Sequence, residues 1–493
     1  MPLTRYLPFL AVATLLLAHA CTLEEDFITD SGTELTFSTD TVMFDTVFTE
    51  VGSATQSFVV YNPFDRPIEI ASVRIESDPG GRFFLNVDGT SGREVTNTFL
   101  PPEDSIYVFV EVTVDPDQDL SASPFVFSGQ VIIEATDVEQ VVHLEAFGQN
   151  ANYIPSSRLR GNFGLLTCDL GEIVWDDPKP YVLYGSLLVD SCTLTLPPGT
   201  RLYVHGGLVA NAELFPDNPI FNDGIIIVQN RGVLNVEGTA DNPVVIASDR
   251  LEERFARTPG QYSGIRLGFG SGPHNISHAR IRHGVIGVFA DSVAELHIDH
   301  TEFAYTAGAG IIGYQADITA TNVISHSNGG GALQAIKGGS YQLDYCTFVN
   351  YGSQNPAVGL TNGFEVSQQN FITAPLDASI RNSIIYGSLR DELALVNFDD
   401  NTALDYRIDR SILRSTELPR QRDDFTENCT GCFFPPVDSA LFANVVADTF
   451  LLDTLSVAEG RARPLPGITT DLLGRERDPE TPDIGAYEYF PAQ

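Results

Sequence analysis

The sequence predicts an all-β chain in two parts, a small β-sandwich followed by a long solenoid of stacked β-coils. Three observations carry this. First, residues 36–150 break into short runs of alternating apolar and polar residues separated by turn signals, the arithmetic of a sandwich. Second, six later segments share one pattern. They begin at Ile276, Ile298, Ile318, Leu343, Ile380 and Ile408, spaced by 22, 20, 25, 37 and 28 residues. A period near 22 with longer insertions marks a solenoid. Third, 42 glycines and 29 prolines in 493 residues suit a turn-rich chain.

The N-terminus reads as an export signal over 1–20. Arg5 supplies the charge and Leu7 to Leu17 the apolar stretch. Two cleavage readings stand. Ala18-His19-Ala20 fits a small-x-small site, and Leu17-Ala18-His19-Ala20-Cys21 resembles a lipobox, which makes Cys21 the lipid attachment point. The lipobox reading is preferred, with acyl chains as the only membrane contact. Thr22 after the cysteine resembles outer-membrane sorting, and Glu24-Glu25-Asp26 the acidic surface tag of Bacteroidetes-type lipoproteins. The expected location is the outer membrane or cell surface, with a periplasmic or secreted protein as the alternative. Residues 21–35 read as a polar tether.

From 36 to 152 the strands include Gln56 to Tyr61, Ile68 to Ile75, Ser105 to Val112 and Gln140 to Ala146. Asn62-Pro63, Asp78-Pro79-Gly80-Gly81 and Asp115-Pro116 punctuate them. Gly52 to Asn62, Val112-Thr113-Val114-Asp115-Pro116 and Leu144-Glu145-Ala146-Phe147-Gly148 resemble the Ig-like domain of abnormal-spindle and hydin-type proteins. Such domains are mostly spacers or binding modules.

Residues 160–425 are assigned to the solenoid and 426–493 to an irregular segment that caps its end. Leu194 to Thr200 and Gly232 to Thr239 are strand–turn units ending in Gly-Thr, and Asp241 to Ile246 supplies the next strand. These resemble early coils of right-handed parallel β-helix proteins of the pectate-lyase-like superfamily. Asp471 to Arg475 and Asp483 to Glu488 resemble the C-terminal signature of exported bacterial members. Within each repeat, position one is apolar and faces in, and position two is polar and faces out. Position three (His278, His300, Ala320, Tyr345, Asn382, Arg410) turns inward at a corner. Position four is small and lets the chain bend, and position six opens the next inward strand.

Sixty-five acidic against 28 basic residues give a net charge of −37, and Lys179 and Lys337 are the two lysines. Such a chain repels nucleic acid, anionic membrane faces and polyanionic substrates. After the N-terminus no stretch approaches the 18 apolar residues of a spanning helix.

Candidate sites are sparse. Cys168 with Cys192, and Cys429 with Cys432, read as disulfides of an oxidising compartment, and Cys346 as a core thiol. His278 and His300 on adjacent coils would lie about 5 Å apart, within reach of a shared metal. The alternative is a structural corner ladder. Asp399, Asp400, Asp405 and Asp409 could hold calcium or supply paired carboxylates, or could be solvated loop residues. Tyr305, Tyr314, Tyr341, Tyr345 and Tyr351 could line a sugar-stacking face. No cofactor is required, and calcium is the one considered. Arg266, Arg280, Arg282, Arg381 and Arg410 lie on coils without a lyase motif joining them. No hydrolase signature, nucleophile elbow or phosphate loop appears either. The first functional expectation is therefore a non-catalytic surface protein that binds glycan or matrix, or acts as a scaffold. The alternative is a polysaccharide lyase or glycoside hydrolase working in the groove along the coils.

Overall fold

A computed structural model of the chain describes residues 27–30, 32–48, 55–78, 80–113, 125–154, 163–212, 219–367, 370–437 and 439–491. The export signal 1–20, Cys21 and the start of the tether lie outside them. The chain divides into two compact units, residues 1–150 and 151–493.

The first unit is a sandwich of two five-stranded sheets. One runs Thr36–Phe37, Gln56–Tyr61, Ser105–Val112, Phe83–Val87, Thr90–Gly92. The other runs Thr41–Phe48, Val138–Gln149, Phe125–Ala135, Ile68–Glu76, Glu94–Leu100. Pairing is antiparallel except where Thr41–Phe48 lies parallel to Val138–Gln149. Period-two alternation builds the core: Ile106, Val108, Val110 and Val112 are buried, while Tyr107 and Phe109 face solvent. Ile28 and Leu35 belong to the same core, and the Ile28 N–H donates to Pro67 O. Packing therefore starts ahead of the expected boundary at 36, because these two apolar residues of the tether segment find a face to bury against.

The second unit is a parallel β-helix of three sheets with ten, nine and ten strands. Among the described residues each of the first nine coils contributes one strand to each sheet, and the last adds none to the nine-stranded sheet. Sheet 1 starts at Asn152–Ile154, sheet 2 at Phe163–Thr167 and sheet 3 at Glu172–Val174. One coil runs His274–Ser277 in sheet 3, Ala279–Arg282 in sheet 1, Val288–Ala290 in sheet 2, then Glu295–Asp299 back in sheet 3. Apolar side chains of all three sheets form one continuous core.

The pairing corrects the repeat register at one point. Ile276, Ile298, Ala320, Leu343, Ile380 and Ile408 stack as successive partners. The third repeat therefore starts at Ala320 instead of Ile318, and the spacings become 22, 22, 23, 37 and 28. Ile318 is also inward-facing, one alternation earlier, which is why it mimicked the repeat start. The long 37-residue step holds an extra hairpin, Gly363–Ser367 with Asn370–Thr373.

With this register the corner residues are His278, His300, Asn322, Tyr345, Asn382 and Arg410, all with φ between 44° and 52°. A left-handed residue reverses the alternation, so these side chains point out of the helix and not inward as the pattern suggested. The next residue points in. Its hydroxyl bonds the chain around the corner: the Ser383 Oγ accepts from Cys346 N (3.0 Å) and the Ser411 Oγ from Ser383 N (3.1 Å). That is a second reason for a small residue at this position.

The chain from Leu418 onward does two things. Phe425 and Leu418 join the helix core at its last coil, and Cys429–Thr430 adds the final strand of sheet 3. From Leu441 to Tyr489 the chain instead lies against the outer side of sheet 1, burying Ile324, Tyr345, Ile384 and Ile412 in a second cluster. The expectation of a cap is corrected here to a cap followed by a lateral strap. Disulfides join Cys168 to Cys192 across neighbouring coils and Cys429 to Cys432 within the last turn. Cys346 is a buried free thiol.

The stacked rows predict sharply position-dependent stability. Leu343→Ala, in the inner row, should lower urea-unfolding stability by about 2–5 kcal/mol. Its outward neighbour, Gln342→Ala, should change it by about 0.5 kcal/mol or less.

Candidate functional site

The corner ladder places the first candidate group. The His278 and His300 rings stack at 4.4 Å with 3° between planes. Among the described residues, His278, Asp299 and His300 bring three donor atoms within 4.8 Å of one another. The surroundings occupy most of these atoms. Asn322 Nδ2 donates to His300 Nε2 (3.1 Å), and Thr470 Oγ1 lies 3.2 Å from the same nitrogen. His300 Nδ1 then carries the proton and lies 2.8 Å from Asp299 Oδ2, off the hydrogen-bond angle. His278 Nδ1 contacts Ser277 Oγ (2.9 Å). Burial, then the neighbouring His300, hold the His278 pKa below its usual value. Parallel stacked rings aim their in-plane lone pairs alongside one another, whereas a shared metal needs them to converge.

Farther along, the corner is sealed by the strap. Arg477 donates to Asn322 Oδ1 (2.8 Å) and lies 4.1 Å above the Tyr345 ring. Asn382 Nδ2 and the Tyr345 hydroxyl both donate to Arg463 O, at 2.7 and 2.8 Å.

The four candidate aspartates do not come together. Asp399 closes a turn, accepting from Asn401 N and Thr402 Oγ1, and these bonds lower its pKa. Asp400 accepts from Asn397 Nδ2 in the same loop. Asp405 and Asp409 lie on one sheet 3 strand, four residues apart. Asp409 sits beside Arg463 (3.8 Å).

Asp405, however, belongs to a row that sequence reasoning missed. On the outer face of sheet 3, Glu295, Asp317, Ser340, Asp377 and Asp405 are successive partners, all exposed. With one coil rising about 4.8 Å, four carboxylates line a strip about 19 Å long. They edge a depression of about 470 Å³ floored by small residues including Ala316, Gly339 and Ala403. Rows two and four residues on carry His297, Thr319, Gln342, Ser379 and Arg407, then Asp299, Thr321, Asp344, Arg381 and Asp409. In the last of these, Arg381 holds Asp344 through two 2.6 Å bonds.

A second cavity, about 700 Å³, lies where loops leaving sheet 1 meet the C-terminal hairpin Phe442–Asn444 and Thr449–Leu452. Tyr305 and Tyr351 line it, whereas Tyr341 and Tyr345 are buried, and Tyr314 packs between Phe289 and Lys337. Asp448 accepts from the Tyr305 hydroxyl (3.2 Å) and Ser327 Oγ (2.8 Å) and pairs with Arg257 (3.3 Å). Burial, reinforced by Asp448, raises the Tyr305 pKa to about 12. Beneath it, Glu302 accepts from Arg282 (2.7 Å) and faces His326 Nε2 (3.1 Å). Burial pushes the Glu302 carboxyl up, but the His326 hydrogen bond and Arg282 charge outweigh it and hold the pKa at about 2.

No protein-family profile and no curated protein matches the chain. Solved structures similar to it include the catalytic domain of a GH87 α-1,3-glucanase in complex with nigerose, at 9% identity and TM-score 0.25, covering 73% of this chain and 82% of that one. The catalytic unit of the GH87 α-1,3-glucanase from Streptomyces thermodiastaticus strain HF3-3 has 10% identity and TM-score 0.21, covering 72% of each chain. A family 123 glycoside hydrolase from Clostridium perfringens has 6% identity and TM-score 0.18, covering 46% of this chain and 63% of that one. All three are described as glycoside hydrolases, the class named in the alternative expectation and not the non-catalytic surface protein expected first.

The Glu302 cluster predicts an acid limb of stability. Its folded pKa near 2 is below the usual carboxylate value of 4.5. The stabilisation is complete above 4.5 and is lost as pH falls toward 2. Glu302→Gln should flatten the fall in unfolding free energy across that window, measured by urea titration at each pH.

Proposed function

We propose that the chain is an exported glycoside hydrolase that cleaves a neutral polysaccharide laid along the outer face of sheet 3. One observation carries the reading: Glu295, Asp317, Asp377 and Asp405 fall in one exposed row beside an open depression. Glycoside cleavage needs two carboxyl groups flanking one bond, one to protonate the leaving oxygen and one to attack the sugar or activate water. Glu295 with Asp317, and Asp377 with Asp405, sit on neighbouring coils about 4.8 Å apart at the backbone. Side chains rising parallel from that backbone spacing would hold their carboxyl groups near the roughly 5–5.5 Å of retaining enzymes.

Charge selects the substrate. A row of carboxylates on a chain of net charge −37 repels uronate polymers and leaves neutral glycans. The same repulsion argues against a lyase, which requires an acidic sugar. In the adjacent row the exposed Gln342 amide and the half-buried Thr319 and Ser379 hydroxyls supply hydrogen-bond partners for sugar hydroxyls. We further place the protein at the outer membrane or cell surface, held by acyl chains on Cys21, with the polymer as its partner and nucleic acid excluded by charge.

The test is release of new reducing ends from a panel of neutral polysaccharides. The proposal expects cleavage of at least one polymer with retained anomeric configuration. It also expects Asp377→Asn or Asp317→Asn to lower the rate about 10²–10⁴-fold. Cleavage that survives substitution of all four carboxylates, or no cleavage of any polymer, contradicts it.

A further inference from the structure

We propose that the cavity beneath the C-terminal hairpin is a second active site, cleaving acyl esters of sugars with Ser327 as nucleophile, His326 as base and Glu302 as positioning residue. The sugar half of this substrate rests on the glycan reading above; the ester half does not.

The proton positions follow from the partners. Glu302 is bonded by Arg282 (2.7 Å) and so is a pure acceptor toward His326. His326 Nε2, 3.1 Å away, must carry the ring proton. The neutral ring then presents the Nδ1 lone pair to Ser327 Oγ at 3.0 Å. Nucleophile to base and base to orienting carboxylate are thus both at hydrogen-bond distance, the general signature of an activated serine.

The fold fixes each member. Glu302 opens one sheet 1 strand and His326 closes the next, with Glu302 stacked on Ile324. His326 is buried and held against the Phe450 ring at 4.9 Å. Ser327 follows directly with φ 53°, so the chain leaves the strand at this residue and its side chain lines the cavity. Arg257 brings a guanidinium to the same wall, where an ester carbonyl would gain negative charge. Tyr351, Gln354 and Asn355 offer the ring face and polar groups that a sugar residue engages.

Docking of the hairpin does not account for this arrangement. Asp448 already anchors the hairpin to Tyr305, Ser327 and Arg257. None of those contacts requires an oriented imidazole between the serine and an ionised carboxylate. In this structure Ser327 Oγ donates its one proton to Asp448 Oδ1 (2.8 Å), so rotation about the Cβ–Oγ bond must turn it to His326 Nδ1 for transfer.

In the reaction, Ser327 Oγ adds to the ester carbonyl carbon as its proton passes to His326 Nδ1. The bond from the carbonyl carbon to the sugar oxygen breaks, and that oxygen takes the proton. Water then attacks the acyl-serine by the same route, releasing a carboxylic acid and restoring Ser327.

The experiment treats the full chain with a fluorophosphonate probe and measures hydrolysis of p-nitrophenyl acetate and acetate release from an O-acetylated neutral polysaccharide. The proposal expects one labelled peptide carrying Ser327, and at least a 100-fold loss of both activities in Ser327→Ala and His326→Gln. Ser327→Cys should redirect labelling to iodoacetamide, which keeps the test valid if another variant misfolds. Glu302→Gln should move the half-maximal pH of hydrolysis downward, because the imidazolium loses its carboxylate while Arg282 remains beside it. Absence of labelling, or labelling and turnover that persist in Ser327→Ala, overturns the proposal. Reducing-end release is scored separately: it should survive Ser327→Ala. Its failure beside intact acetate release would remove the polysaccharide-cleaving reading and leave this one standing.

Discussion

In six successive coils the chain leaves sheet 3 and enters sheet 1 through one residue in the left-handed conformation. His278, His300, Asn322, Tyr345, Asn382 and Arg410 all do so. For a non-glycine residue this costs on the order of 1–2 kcal/mol. The cost is offset because the corners stack. The inward hydroxyl of one coil bonds the previous backbone, and the outward side chain is capped by the strap. Once corners align, rows follow on both faces: Ile276 through Ile408 inside, Glu295 through Asp405 outside.

Most of the fold was legible because burial writes itself into sequence at fixed spacing. The sandwich strands alternate, and the inner row from 276 to 408 keeps Ile or Leu at every coil but one. Legibility failed where a different force set the residue. Ala320 holds an inner position without looking like one, and nearby Ile318 imitated it. The corner side chains were expected inside because strand alternation was carried through them, whereas a positive φ breaks that alternation. The strap from Leu441 onward has no period, since it packs on a surface that only the finished helix creates.

The site was less legible still. The four carboxylates of the outer row are separated by 22, 60 and 28 residues. Only the coil pairing, with Ser340 interposed and a hairpin looped out, brings them into one line. Of the four aspartates singled out by their local density, only Asp405 falls in the row; Asp399 and Asp400 serve a turn. Ser327 and His326 are adjacent in sequence yet carry no motif, because their partner Glu302 comes from the previous coil.

The chemistry proposed for this chain therefore depends on register more than on any single residue. One distance tests it. Asn235 and Arg407 lie in the same outward row of sheet 3, six coil steps apart. At about 4.8 Å per step, spin labels at these positions should show a single narrow distance population near 29 Å. A broad distribution, or a mean differing by a coil or more, would contradict the stacking from which both sites are built.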